Sequence, residues 1–229
     1  MAASARLPAH LSYTSALALI PPSRIAAPIE TIRRVHDKNF ARWPPHINLL
    51  YPFLYLPTEP GQGQLSLIET SDEGVKSLSG MQLKADIRAR IQQAVKSIKP
   101  FDVTLDADSL GIFSHRSGKR SGWTSKTLWL EPSTLLIQHL QAALQAEFKE
   151  CDAEKRPFTP HLSLGQAESD YAALRLREEA RRVVAGSVGQ EGGASGLLHW
   201  HVDKVHVITR KGYRDRFREV GSIDLGQPK

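Results

Sequence analysis

Apolar residues along this 229-residue chain come in short runs whose period changes repeatedly between two and about 3.6. Residues 13–20 form an apolar run closed by Pro21 and Pro22, which reads as a buried strand ended by a rigid turn. Ile29, Ile32, Val35 and His36 then recur at helical spacing, with arginines and a lysine between them, and predict a helix from Pro28 to about Phe40. A strand is expected over residues 46–54, with Pro44 and Pro45 at its start, where a strand tolerates proline. Residues 57–80 carry glycine, serine, proline and acidic groups without periodicity and read as an exposed insertion. Ile87, Ile91, Ala94, Val95 and Ile98 mark one face of an amphipathic helix over residues 83–98.

The second half repeats this order. Strands are expected within residues 101–113 and over 127–130, joined by a basic loop, 114–126. An amphipathic helix over 135–148 leads to a strand over 158–164. A charged helix over 170–184, a glycine-rich loop over 186–196 and one long strand over 198–208, pairing with 218–225, complete the reading. The pattern is α+β, without a run of βαβ units and without a glycine-rich phosphate loop.

One phrase occurs twice. Pro45-His46-Ile47-Asn48-Leu49 and Pro160-His161-Leu162-Ser163-Leu164 place their histidines 115 positions apart, half the chain. Side chains alternate along a strand, so each histidine shares a face with the polar residue two places on, while the aliphatic pair faces a core. If the halves pack as pseudo-symmetric partners, two imidazoles and two hydrogen-bond donors converge on one cleft. Imidazoles with an ordinary pKa near 6.5 can supply both a general base and a general acid at neutral pH, without a metal.

Charge narrows the partner. A formal charge of +6 and a pI of about 9.5 favour an anionic ligand, with nucleic acid the first expectation. The single cysteine, Cys151, excludes an internal disulfide framework and fits a reducing, intracellular compartment, cytoplasmic or nuclear. No apolar run approaches the roughly 18 residues of a membrane span. The first 29 residues have no acidic group and superficially resemble an organelle transit peptide, but the strand expected over 13–20 belongs to the fold. In the basic loop, Arg116, Lys119 and Arg120 are candidate phosphate contacts and Trp123 a candidate stacking partner for an unpaired base, with Tyr213 on a second rim. His10, His36 and His139 read as tail or helix-surface residues. His199 and His201 could chelate a metal but lack a third ligand of matching spacing, so they read as a solvated strand face.

The paired phrases resemble those of the two-histidine (2H) phosphoesterases, RNA-ligase-like cyclic phosphodiesterases included, whose mark is two His-x-Thr/Ser-x phrases half a chain apart. Residues 16–22, Ala-Leu-Ala-Leu-Ile-Pro-Pro, resemble the opening strand of that family, and Phe158-Thr159-Pro160-His161 also fits. The resemblance implies one bilobal domain over residues 11–226, between a tail of 1–10 and a tail of 227–229, with two antiparallel sheets flanking a cleft and helices outside. It implies a metal-independent phosphodiesterase that opens 2′,3′-cyclic phosphates at RNA ends or in small nucleotides, with no cofactor and no ATP, expected as a monomer. His161 would be the base, His46 the acid, and Asn48 and Ser163 the phosphate donors. Alternatives are cleavage of 2′,5′-linked oligonucleotides, RNA 3′-end trimming, or a non-catalytic RNA-end binding module. Two positions depart from the family: Asn48 stands where Thr or Ser is usual, and Gln166, a candidate substrate contact, stands where many members carry arginine.

Overall fold

A computed structural model of the chain describes residues 7–61, 80–116, 124–152, 157–188 and 197–226. In chain order the strands are β1 (Leu11–Ser12), β2 (Ser15–Leu19), β3 (Ile47–Leu50), β4 (Phe53–Leu54), β5 (Thr58–Pro60), β6 (Met81–Leu83), β7 (Phe101–Arg116), β8 (Thr124–Pro132), β9 (Leu162–Ala167), β10 (Leu197–Val202), β11 (Lys204–Thr209) and β12 (Arg218–Asp224). The helices are α1 (Ser23–His36), α2 (Ala85–Val95), α3 (Leu136–Glu147) and α4 (Asp170–Val188). Two four-stranded antiparallel sheets result, one ordered β12-β11-β2-β3 and the other β10-β7-β8-β9. The fold is α+β and bilobal, as expected.

The repeat unit is strand, helix, histidine strand: β2-α1-β3 in one lobe and β8-α3-β9 in the other. Each histidine strand is the terminal strand of its sheet. The helices are exchanged, because α1 packs against β9 and α3 against β3. α1 buries Ile25, Ile29 and Ile32, and α3 buries Ile137, Leu140 and Leu144. One continuous apolar core therefore runs behind both sheets, and the two histidine strands are clamped relative to each other by helices belonging to the opposite halves. The exchange requires close approach at Gly165, where an added Cβ would lie 2.6 Å from His36 Cβ.

Several boundaries differ from the sequence expectation. α1 begins at Ser23 and holds Pro28 inside it, because burying Ile25 together with Ile29 and Ile32 outweighs the lost hydrogen bond; Arg33 is buried on this helix while Val35 is 71% exposed. The strand expected over 46–54 is split into β3 and β4 around Pro52, and the strand expected over 158–164 starts only at Leu162. The hairpin of β7 and β8 is longer than expected, reaching Arg116 and resuming at Thr124. The ends of the 57–80 insertion pair as β5 and β6, while residues 62–79 lie outside the described residues. Most consequentially, the long strand expected over 198–208 is two strands in different sheets. Buried Leu198, Trp200 and Val202 keep one alternation phase, and Val205 and Val207 take the other, so the faces switch at Asp203 as the chain crosses between lobes.

Candidate active site

Each histidine immediately precedes its strand and is held in the same way. His46 Nδ1 donates to the Pro44 carbonyl at 2.7 Å, and His161 Nδ1 donates to the Thr159 carbonyl at 2.8 Å. A backbone acceptor on Nδ1 fixes that nitrogen as the protonated one, and Nε2 becomes the nitrogen available for proton transfer.

The strands are bent in the same way too. Ala18 opposes Asn48 and Leu17 opposes Leu50, leaving Leu49 as an extra residue; Trp129 opposes Ser163 and Leu128 opposes Gly165, leaving Leu164 as its counterpart. A bulge three residues after each histidine keeps the polar residue on the histidine's face, and the residue three further on, Tyr51 or Gln166, returns to that face. In the first lobe, Asn48 Nδ2 donates to His46 Nε2 at 3.0 Å, which fits a neutral imidazole, while Asn48 Oδ1 is buried without a donor.

Aromatic groups flank both rings. Trp43 stacks on His46 with centroids 4.4 Å apart, and is itself backed by Phe217 at 3.9 Å and Tyr51 at 5.2 Å. His161 meets Phe113 edge-on at 4.9 Å and lies 5.9 Å from Trp129. Burial in these surroundings disfavours the charged imidazolium. His46 is pushed down to about 3, chiefly by burial, against the pull of the Pro44 carbonyl and with further lowering from the nearby positive charges of Arg33 and His161. The last of these puts the two histidines within electrostatic reach of each other. His161 is also lowered by burial, with the Thr159 carbonyl opposing.

Beneath the site lies a charged network that the sequence reading missed. Arg33 and Asp37, both buried, pair through Nε at 2.8 Å and Nη2 at 2.7 Å. Desolvation lowers the Arg33 pKa from its usual value, with Asp37 acting in the opposite direction. Gln166 Nε2 donates to Asp37 Oδ1 at 3.1 Å, and its Oε1 accepts from Lys38 N–H at 3.0 Å. The Gln166 amide is thus engaged at both ends, tying β9 to the turn after α1. An Arg and Asp four apart on a helix otherwise rich in exposed cations was the available signal.

Of the remaining candidates, Tyr213 is exposed on the first lobe's rim, under Arg42 at 4.9 Å and Arg210 at 4.8 Å. A hydrogen bond from Arg42 lowers the Tyr213 pKa. Lys119, Arg120 and Trp123 lie outside the described residues, and of Arg116 only the backbone, at the end of β7, is described. His201 pairs with Asp102 at 2.8 Å and His199 with Thr104 at 3.4 Å on β10, and no cluster of three metal-binding side chains occurs among the described residues.

The profile of the 2′-5′ RNA ligase superfamily matches residues 21–214 of this sequence. No curated protein sequence matches. Among solved structures, a phosphoesterase shares 18% identity with a TM-score of 0.45, covering 94% of this chain and 99% of its own. Apo LigT of E. coli shares 16% at a TM-score of 0.44, covering 94% and 98%. Usb1 of Kluyveromyces marxianus shares 14% at 0.39, covering 94% and 99%.

Proposed function

The chain belongs to the 2′-5′ RNA ligase superfamily, within the two-histidine phosphoesterases, and from that premise we propose that it is a phosphodiesterase that opens 2′,3′-cyclic phosphates at RNA ends by paired-histidine catalysis. The observation that supports this most strongly is the matched anchoring of the two imidazoles, each with Nδ1 on the carbonyl two residues back and Nε2 left for chemistry.

The two environments favour distinct roles. His46, driven to about 3 and resting with its Nε2 lone pair on an amide N–H, is the neutral partner and hence the base. His161, lowered by burial against the pull of the Thr159 carbonyl, is the acid. This reverses the assignment implied by the family resemblance. In the proposed step, Asn48 Nδ2 leaves His46 Nε2 for a non-bridging phosphate oxygen, uncovering the base. His46 Nε2 removes a proton from water as the water oxygen bonds to phosphorus. The bond from phosphorus to one ribose oxygen breaks, and that oxygen takes the proton from His161 Nε2, leaving a phosphomonoester and a free hydroxyl. Ser163 donates to the second non-bridging oxygen. An anionic phosphate in the cleft raises both histidine pKa values, which offsets the burial that lowers them.

The buried acceptor Asn48 Oδ1 favours one further substrate. A 2′,5′-linked diester presents a free 3′-hydroxyl beside the scissile phosphate, which can donate to that oxygen, whereas a cyclic phosphate has no such hydroxyl. Turnover of an RNA ending in a 2′,3′-cyclic phosphate, with EDTA present and a 2′,5′-linked dinucleotide as comparison, tests the reading. Hydrolysis of the cyclic end by the wild type, lost in His46→Ala and His161→Ala, is the expected result. Turnover of neither substrate would contradict it and leave RNA 3′-end trimming and RNA-end binding as the surviving alternatives.

A further inference from the structure

The face of the second sheet that carries His161 extends beyond the reacting centre. From Leu110 to Arg116 the register of β7 on β8 is unbroken, so Phe113 opposes Thr127 and His115 opposes Ser125. Opposed residues of an antiparallel pair share a face, and the stack of Phe113 on Trp129 at 4.8 Å shows which face it is. Trp129 opposes Ser163, so the same face runs from Ser163 through Thr127 to His115, away from His161 and up the hairpin. His115 is exposed and Thr127 half-buried, and His115 Nε2 lies 3.0 Å from Thr127 Oγ1. Trp129 Nε1, on the same shelf, is buried without an acceptor.

The equivalent face of the first lobe offers no such shelf. There Ala16, Ala18, Ile208 and Phe217 form a separate buried cluster capped by Trp43 and Tyr51. An extended ligand leaving the two histidines therefore has its open path along the second lobe.

Resting on the phosphodiesterase reading, we propose that Phe113, His115 and Thr127 form a subsite for the nucleotide that precedes the reacting one, and that the enzyme acts on the ends of RNA chains rather than on mononucleotides. Ser163 and Thr127 are diagonal neighbours on adjacent strands, about 7–8 Å apart, comparable to the separation of successive phosphates in an extended ribonucleotide chain. Ser163 at one phosphate thus places Thr127 and His115 at the next, as hydroxyl and imidazole donors to an anionic oxygen. Phe113, half-buried opposite Thr127 and stacked on Trp129, presents its ring to the intervening base.

The test compares kcat/KM for a 2′,3′-cyclic mononucleotide with that for a dinucleotide ending in the same cyclic phosphate. The wild type should favour the dinucleotide, and His115→Ala and Thr127→Val should each lower the ratio of the two constants by about tenfold or more, as expected for a lost hydrogen bond to a charged group. A wild type without preference, or variants that leave the ratio unchanged, would overturn the subsite. If neither substrate is turned over, the phosphodiesterase reading fails separately. The subsite is then read from binding of 3′-phosphorylated mono- and dinucleotides: tighter dinucleotide binding that His115→Ala abolishes supports it, and equal binding overturns it.

Discussion

Opposite Asn48 the first sheet carries Ala18; at the equivalent position, opposite Ser163, the second carries Trp129. Most of the difference between the two histidines follows from this substitution of a small residue for a large one. With Ala16 and Ala18 beneath it, the first face has room for Trp43 and Phe217 to fold in from the loops, and Trp43 lies flat on His46 with the rings 13° from parallel. The second face supplies its own aromatic from the strand, and His161 meets Phe113 at 88°, edge to face. The same anchor on Nδ1 and the same bulge thus serve two imidazoles in unequal surroundings, one flat on an indole beside Arg33, the other on an open sheet face. Identical backbone geometry positions the pair, and unequal side-chain surroundings separate their protonation.

The largest effect expected is loss of either imidazole. His46→Ala and His161→Ala should each lower kcat by roughly 10²–10⁴, about 3–5 kcal/mol. A nucleotide aryl diester, whose leaving group needs no proton, should restore much of the rate to His161→Ala and little to His46→Ala. The opposite pattern of rescue would reverse the roles. Next, Asp37→Ala leaves Arg33 buried without its partner and should cost about 3–5 kcal/mol of stability in urea unfolding. Gln166→Ala should cost less, since it breaks only the bridge to that pair.

Two glycines separate stability from activity. Gly165→Ala would drive a methyl group against His36 Cβ and the α1 backbone, which cannot yield separately, and should cost about 1–3 kcal/mol in unfolding free energy. At Gly111 the obstacle is the Trp129 ring, 2.1 Å from an added Cβ, and a ring can swing aside. Gly111→Ala should therefore disturb the aromatic support of His161 and lower kcat more than it lowers stability.

The last effect concerns acid. The folded His46 value of about 3 lies below the usual 6.5, so above 6.5 the group is neutral in both folded and unfolded chains. As pH falls through 6.5 the unfolded chain takes the proton first, and stability is lost progressively towards pH 3. His46→Gln should flatten this dependence in urea midpoints measured on either side of pH 6.5. An unchanged slope would show that His46 is not held neutral by its surroundings.

Local repetition made the histidine strands readable. The two phrases carry their own alternation and begin with proline, so the facing of His46 with Asn48, and of His161 with Ser163, followed from period two alone. Features that depend on contacts distant in sequence were not readable. Nothing near Gln166 signals that its amide turns to Asp37 and Lys38, 128 or more positions away. Trp43 and Phe217 reach the His46 side from separate loops, and only the fold brings them together. The break at Asp203 is an intermediate case. The change of alternation phase between Trp200 and Val205 was visible in the sequence, but continuous apolar content concealed it. Pro28 misled in the other direction, as a natural helix start overridden by the burial of Ile25.

The central claim is that His46 and His161 act as one unit, and the double variant tests it most directly. Groups that share one proton-transfer step are strongly non-additive, so His46→Ala/His161→Ala should be about as slow on a cyclic-phosphate RNA end as the slower single variant. A double variant whose loss equals the product of the two single losses would contradict paired catalysis and assign the histidines to independent roles.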